Sequence, residues 1–222
     1  MSDPAKDVQE RFTPLLREWG VRLHSDQDRK LGVFLDELEF WNKRINLTGL
    51  SSRQRIVDEL LVDSLLPAPF LPDQGTLLDV GSGGGFPAIP IKICKPRLRC
   101  RLIEPNAKKT HFLKQVIRLA GLGNIEVIQG RMEEQEGVLF PEGYDVITSR
   151  AFVPLAGYLT LCGPLLSPGG RMVAFLGDQS ESAIQESAKL IDMHRLFPFK
   201  RISYRLPGKG RKREILILKK ET

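Results

Sequence analysis

The sequence predicts an α/β protein: a mostly parallel seven-stranded sheet that ends in an antiparallel hairpin and carries a helical extension at its N-terminus. Three observations predict it. From Thr76 onward, short apolar runs alternate with helical patterns, as in a parallel sheet with crossover helices. The first run, Leu77-Leu-Asp-Val80, leads straight into Gly81-Ser-Gly-Gly-Gly85, a glycine turn of the Rossmann-like kind. Without a Cβ, such a turn can take φ > 0 and let the backbone approach a nucleotide-like ligand closely. The last two runs are separated only by Pro207-Gly-Lys-Gly210, too short for a helical crossover, so they must pair antiparallel.

The elements follow in order. Residues 1–70 read as a helical subdomain packed on the core. Its first helix runs from Pro4 to Trp19, with Phe12, Leu15, Leu16 and Trp19 at helical spacing. Ser25-Asp-Gln-Asp28 resembles a capping box. The second helix follows it and carries Leu31, Phe34, Leu35, Leu38 and Trp41 on one stripe. A third helix spans about Ser52 to Leu66 and is closed by Pro67 and Pro69. These stripes are read as core contacts, not as a cofactor-binding face. Residues 71–222 form the α/β domain. Its strands are expected near 77–81, 99–104, 125–129, 144–149, 171–176, 200–206 and 213–219. Its helices are expected near 87–94, 107–121, 153–166 and 179–194. Pro168-Gly-Gly170 is read as the turn that launches the fifth strand.

Composition narrows the function. No apolar run approaches membrane-spanning length, and Met1 to Asp7 lacks the apolar stretch of a signal peptide, so a cytoplasmic protein without a membrane partner is expected. The three cysteines are scattered, with no Cys-x-x-Cys, and the three histidines lack ligand spacing. Neither a disulfide framework nor a metal site is expected. The net charge is +6, and residues 195–222 hold ten Lys/Arg against two Glu. Such a stretch marks a polyanion-binding face or a well-solvated surface.

The glycine turn excludes two ligand classes. Counted from Gly81, the third glycine of a dinucleotide fingerprint would fall on Phe86, and counting from Gly83 finds none either. No Gly-Lys-Ser/Thr follows, so a P-loop is absent. The second strand ends at Glu104, about 20 residues past the turn, where a carboxylate can accept from both hydroxyls of a ribose diol. A solvated strand-end residue is the alternative. Asp79 either caps the strand beneath the turn or touches the ligand. Because ligands lie beyond the carboxyl ends of such strands, Gly81, Gly83, Gly85, Phe86, Glu104, Asn106, Arg131, Met132, Glu133 and Arg150 should converge. Met132 and Glu133 suit an adenine ring. Arg131 and Arg150 suit phosphate or a guanine edge, or else pair internally with Glu104, Glu133 or Asp145. Lys108 and Lys109 open a helix against its dipole, which favours a polyanion partner. Arg211 and Arg213 lie in the basic C-terminal stretch.

Four segments together, Asp79 to Pro87, Ala107 to Leu113, Gly130 to Glu134 and Thr148-Ser-Arg-Ala151, resemble the class I S-adenosylmethionine-dependent methyltransferases. They resemble in particular the RsmG (GidB) family, bacterial 16S rRNA guanine-N7 methyltransferases. Trp41 to Thr48 and Asp63-Ser64 extend the resemblance over nearly the whole chain. The resemblance implies that Gly81, Phe86, Met132, Glu133 and Arg150 contact S-adenosylmethionine, with Glu104 and Asn106 near the ribose. It implies a positive RNA-facing surface that includes Lys108, Arg131, Arg150 and Arg213. The implied substrate is a guanine in the 530 loop of 16S rRNA, in the small ribosomal subunit, methylated by what is expected to be a monomer. Two positions depart from the family pattern. Leu60 stands where His is frequent, and Leu176-Gly177 stands where Lys-Gly is frequent, with Asp178 adding an anion.

Guanine N7 has a lone pair and no proton, so its methylation needs no general base. Catalysis would rest on alignment, with Arg150 as the candidate catalytic residue. The competing readings are a non-catalytic ribosome-assembly factor that keeps the fold, a methyltransferase with another acceptor, and a nicotinamide dehydrogenase. The missing third glycine and the closing hairpin argue against the last.

Overall fold

In the computed structural model, β1 (Gln74–Val80), β2 (Arg97–Glu104), β3 (Ile125–Gln129), β4 (Tyr144–Ser149), β5 (Leu166–Leu176), β6 (Leu196–Arg205) and β7 (Lys212–Lys220) form one sheet. The order is β3-β2-β1-β4-β5-β7-β6. The first five strands are parallel, and β7 runs antiparallel to both β5 and β6. The structure describes residues 16–134, 140, 142–150, 154–176, 180–205 and 212–222. The expected first helix ahead of Leu16, the 207–210 turn, Ala151, Gly177, Asp178 and Arg211 lie outside them.

Short 3-10 turns aside, seven helices lie wholly among the described residues. They are α1 (Ser25–Ile45), α2 (residues 53–65), α3 (Ala88–Cys94), α4 (Ala107–Leu119), α5 (Leu155–Cys162), α6 (Ser180–Glu186) and α7 (Ala188–Met193). The period-2 alternation of the strands divides the apolar side chains between two faces. On one face Leu77, Val146, Val173, Ile215 and Ile217 pack with Leu31, Phe34, Leu35 and Leu38 of α1 and with Ile56, Leu61 and Leu65 of α2. On the other, Leu78, Ile147, Met172 and Leu216 pack with Leu155 and Leu159 of α5. The helical extension therefore shares a core with the sheet. Fully burying a Leu or Phe stabilises by roughly 1.5–3 kcal/mol. Trp41, at the far end of the α1 stripe, lies against His111 and Phe112 of α4, with ring centroids 5.5 and 6.2 Å away.

Several boundaries differ from expectation for local reasons. The cap of α1 is shifted by one residue: the Gln27 side-chain oxygen accepts from the His24 backbone N–H at 2.9 Å, and Asp28 is buried. β5 begins at Leu166, so the Pro168-Gly-Gly segment lies inside the strand, where the pairing with β4 shifts register. Gly170 is required there, since a Cβ would meet Tyr144 O and Ser167 O at 2.9 Å. The helix expected over 179–194 is two helices divided at Ser187, which is buried. The expected 153–166 helix ends at Cys162 and tightens into a 3-10 turn over Gly163–Leu165.

The α2 segment holds the least expected feature. Arg53–Ile56 is α-helical, Val57–Leu61 is a π-helical turn, and Val62–Leu65 is α-helical again. The Val62 N–H reaches back to Val57 O, one residue further than an α-helix allows. π turns of this kind occur often at functional sites.

Candidate active site

The strand order reverses between β1 and β4, and the crevice at their carboxyl ends is where open α/β sheets hold ligands. The glycine turn forms its floor. Gly81 and Ser82 both donate backbone N–H groups to Ile103 O at the end of β2, at 2.9 and 3.1 Å. Gly85 N–H closes the turn on Ser82 O at 2.7 Å. Gly81, Gly83 and Gly85 all have φ between +54° and +86°, where glycine alone is unstrained.

Two cavities flank Gly81. One, of about 170 Å³, is lined by Val80, Gly81, Ile103, Pro105, Gly130, Arg131, Met132 and Glu133. Met132 is buried and Arg131 and Glu133 are exposed at its rim, so the wall is apolar and the mouth polar. The other, of about 430 Å³, is lined by Leu47, Thr48, Leu60, residues 81–84, Phe86, Lys109 and Arg150. The arrangement offers a slot for a flat apolar ring on one side and a wide cationic chamber on the other.

Glu104 is buried at the junction. Its Oε2 accepts from Gly83 N–H at 2.7 Å and its Oε1 from Asn106 N–H at 2.9 Å. Each oxygen keeps a second acceptor site, enough for a diol. Asn106 caps α4: its side-chain oxygen accepts from the N–H groups of Lys108 and Lys109, at 3.0 and 3.2 Å. That cap places Lys109 in the chamber wall, while Lys108 stays exposed. Phe86 faces the chamber but is almost fully buried, its ring 5.0 Å from that of Phe34.

Asp79 lies beneath the turn, 1 % exposed. Its Oδ1 accepts from the Thr148 hydroxyl at 2.6 Å, across the β1–β4 pair, and its Oδ2 has no partner. Burial pushes the carboxyl up to about 7, against the pull of the Thr148 hydrogen bond and the nearby Ser82 hydroxyl and with help from the nearby Glu104 charge. Between the unfolded value near 4 and about 7 the folded state holds a proton that the unfolded state has lost, so this residue lowers stability as pH rises through that window. Asp79→Asn should remove that slope and raise stability at and above neutral pH. Urea unfolding from pH 5 to 8 tests it, and an unchanged slope would exclude Asp79 as its source.

Arg150 follows β4 and turns toward α2. Its Nη2 donates to Glu59 O at 2.8 Å and to Asp63 Oδ2 at 3.0 Å, and its Nη1 to Leu60 O at 3.4 Å. Arg213 of β7 comes from the other side, donating to Asp63 Oδ2 at 2.6 Å and to Glu59 O at 2.9 Å. Two guanidiniums thus share one buried carboxylate and the carbonyls offered by the π turn. Burial raises the Asp63 carboxyl, with both arginines opposing the rise. Burial likewise pulls the Arg150 guanidinium down from its ordinary value, with Asp63 opposing. Tyr204 of β6 faces the same carboxylate, and burial followed by that charge raises its phenol.

The sequence-level candidates fall into three groups. Gly81, Gly83, Phe86, Lys109 and Arg150 meet at the chamber, while Gly81, Arg131, Met132 and Glu133 meet at the slot. Gly85, Asp79, Glu104 and Asn106 support the turn between them. Arg131 has no ion-pair partner among the described residues, whereas Arg150 pairs with Asp63 and not with Glu104, Glu133 or Asp145. Arg213 is held inward beside Arg150. Leu60 sits in the chamber wall, and Leu176 packs against the second core.

Asp63, Glu59, Tyr204, Leu47 and Thr48 were not singled out for roles here. Asp63-Ser64 carries part of the family resemblance, and a lone acid within Leu60-Leu-Val-Asp-Ser-Leu-Leu66 is a further signal. For Leu47 and Thr48 the signal was Asn42. Its side-chain oxygen accepts from both their N–H groups, at 2.6 and 3.1 Å, and folds the 46–50 loop over Gly84.

This fold, with a glycine turn at the switch point and an acid ending β2, is the Rossmann-like architecture that class I methyltransferases share. Among solved structures, M. jannaschii TYW2 in complex with AdoMet superposes with a TM-score of 0.59 at 15% identity, over 71% of this chain and 73% of that one. A putative O-methyltransferase from Klebsiella pneumoniae gives 0.60 at 17% identity, over 85% and 90%. Residues 27–210 match the family GidB, rRNA small subunit methyltransferase G, and the chain belongs to that family. Ribosomal RNA small subunit methyltransferase G of Neisseria meningitidis serogroup C (strain 053442) is 38% identical over 198 residues, 89% of this chain and 91% of that protein. Its counterpart in Geobacter sp. (strain M21) is 34% identical over 203 residues, 90% and 92%.

Among the described residues no group of three or more His, Cys, Asp or Glu is placed to hold a metal ion, and no helix is long and apolar enough to cross a membrane.

Proposed function

We propose that this protein transfers the methyl group of S-adenosylmethionine to N7 of a guanine in the 530-loop region of 16S rRNA, within the small ribosomal subunit. The observation that carries the reading is the pair of cavities meeting at Gly81, one apolar and slot-like, the other wide and cationic. Met132 and Ile103 would hold the adenine, with Glu133 at its polar edge. Glu104 and Asn106 would take the ribose hydroxyls, and the glycine turn would support the rest of the cofactor from below. Bound there, the cofactor supplies a methyl group on a positively charged sulfur.

The protein's part is alignment. The N7 lone pair needs no base, and the chamber offers Lys109, Arg150 and backbone groups in place of a proton acceptor. Arg150 lines the chamber and is held by three acceptors, which fix the direction of the donors it keeps free. A donor aimed at the guanine O6 favours guanine over adenine, which presents an amino group at that place. Fixed geometry of this kind is how a base-free transfer gains rate. Because A-form helices bury the guanine N7 in a narrow groove, the base must be presented unstacked, and Arg131, Lys108 and Lys109 at the rim suit the flanking phosphates.

The test is transfer of labelled methyl from S-adenosylmethionine to unmodified small-subunit particles and to naked 16S rRNA, with the modified base then mapped. Incorporation at one guanine N7 is expected. Incorporation at another acceptor would overturn the substrate assignment. No incorporation, with cofactor and RNA binding intact, would favour a non-catalytic assembly factor.

A further inference from the structure

We infer that the amino-terminal half of β6 is a second RNA-binding surface, which holds a single-stranded segment of the substrate rRNA far from the methylated base. The inference rests on the rRNA reading above. Of five large hydrophobic side chains that are exposed among the described residues, two, Phe197 and Phe199, sit together on this edge strand, each 41% exposed. A register shift between Pro198 and Lys200 makes Phe199 the extra residue of a bulge, and bulges re-aim side chains. The Phe199 ring is thereby brought 5.0 Å from the Arg171 guanidinium and 5.9 Å from Lys219 Nζ. Lys200 Nζ lies 5.0 Å from the neighbouring Phe70 ring.

Charge identifies the partner. None of Arg171, Lys200 and Lys219 has an acidic side chain within ion-pair distance among the described residues, although Arg101, Arg201 and Arg213 elsewhere on the sheet do; Arg171 also donates to Phe70 O at 2.8 Å. Interleaved aromatic rings and uncompensated cations are what single-stranded nucleic acid requires: rings for the bases and cations for the phosphates. An edge strand meant only to resist pairing needs its Pro and Lys, but it does not need two exposed Phe rings. The surface lies toward the opposite end of β7 from the candidate active site: Lys219 is six residues from Arg213, about 20 Å at roughly 3.3 Å per residue, and Ile215 and Ile217 between them are buried beneath the helical extension.

The test uses the full chain carrying Lys200→Glu and Lys219→Glu together, and separately Phe199→Ala. Binding is read on naked 16S rRNA and on a short oligonucleotide that holds only the target guanine and its neighbours. For rRNA, the expected result is a Kd and a KM raised about tenfold or more by each variant, with a salt slope shallower by about 1.4 for the double variant. The kcat at saturating RNA, S-adenosylmethionine affinity and short-oligonucleotide binding should stay at wild-type values. Photocrosslinking of wild-type protein to thiouridine-substituted rRNA should label a peptide containing Phe197 and Phe199, a readout that needs no variant to fold. Wild-type rRNA affinity in both variants with no crosslink here would overturn the inference. So would an effect seen only on assembled particles, which would point to a protein partner. Failure of wild-type protein to methylate rRNA at all would count against the rRNA reading, and the binding measurements separate the two.

Discussion

Gly83→Val is expected to abolish S-adenosylmethionine binding in a protein that still folds. Gly83 has φ +54°, a region where a β-branched residue is a genuine outlier. Holding such a backbone costs about 1–3 kcal/mol, which a domain stable by about 5–15 kcal/mol can absorb. A Cβ added there meets nothing closer than Gly81 O, at 3.7 Å, so the fold itself does not resist it. The space it enters is the side of the chamber next to the glycine turn, and the valine methyls would stand where the proposed cofactor site crosses that turn. The loop can make room only by giving up the Gly83 N–H bond to Glu104 and so disturbing the carboxylate assigned to the ribose. A combined cost of about 3 kcal/mol already weakens binding more than a hundredfold. Titration calorimetry should detect no binding, while circular dichroism and the unfolding transition remain close to those of the wild type. Gly85→Val should behave in the opposite way. Its Cβ would come within 2.9 Å of Ile89 and 3.2 Å of Leu113, inside the core, so stability rather than affinity should collapse. Wild-type affinity in Gly83→Val would remove the cofactor from this crevice.

The contrast between these two glycines shows what the sequence can and cannot disclose. Both belong to one motif, and the motif announces a tight turn above a ligand. Which glycine faces the ligand and which faces the core depends on α1 and α4, packed against the turn from far along the chain. The strands that build the site were legible for a related reason. The later residues of β1 and β4 are buried, β2 and β3 alternate Leu, Ile or Val with polar residues, and the carboxyl ends fall at Val80, Glu104, Gln129 and Ser149. Their amino ends were less legible, since Gln74, Gly75 and Arg97 carry no apolar signal and are held by pairing. The π turn in α2 was invisible, because an extra residue in a hydrogen-bond ladder changes neither composition nor periodicity over so few residues. Asp63 belonged to the segments that carry the family resemblance, but its role was hidden. Its two arginine partners lie 87 and 150 residues downstream, and only the assembled sheet brings them to it.

That assembly makes Arg150→Ala the other change with a large expected effect. The side chain gives up its bonds to Glu59 O, Leu60 O and Asp63, and Asp63 keeps Arg213 at 2.6 Å. Because the carboxylate is not stranded, the stability cost should stay near 1–3 kcal/mol, short of the roughly 3–5 kcal/mol that follows when a buried charge loses its only partner. Turnover should fall much further, by about a hundredfold or more, since misplacing a reacting group by about 1 Å can cost that much. Single-turnover methyl transfer on rRNA, set beside S-adenosylmethionine affinity and urea unfolding of the same variant, separates these effects. A large loss of rate with little loss of cofactor affinity would assign Arg150 to the acceptor base. Parallel loss of both would assign it to the cofactor. Arg150→Lys should recover little, because an ammonium group cannot span the Asp63 carboxylate and two carbonyls while still presenting a donor to the chamber. Normal turnover in a folded Arg150→Ala protein would sink the role given to this residue, and would leave Lys109 as the chamber's remaining cation among the described residues.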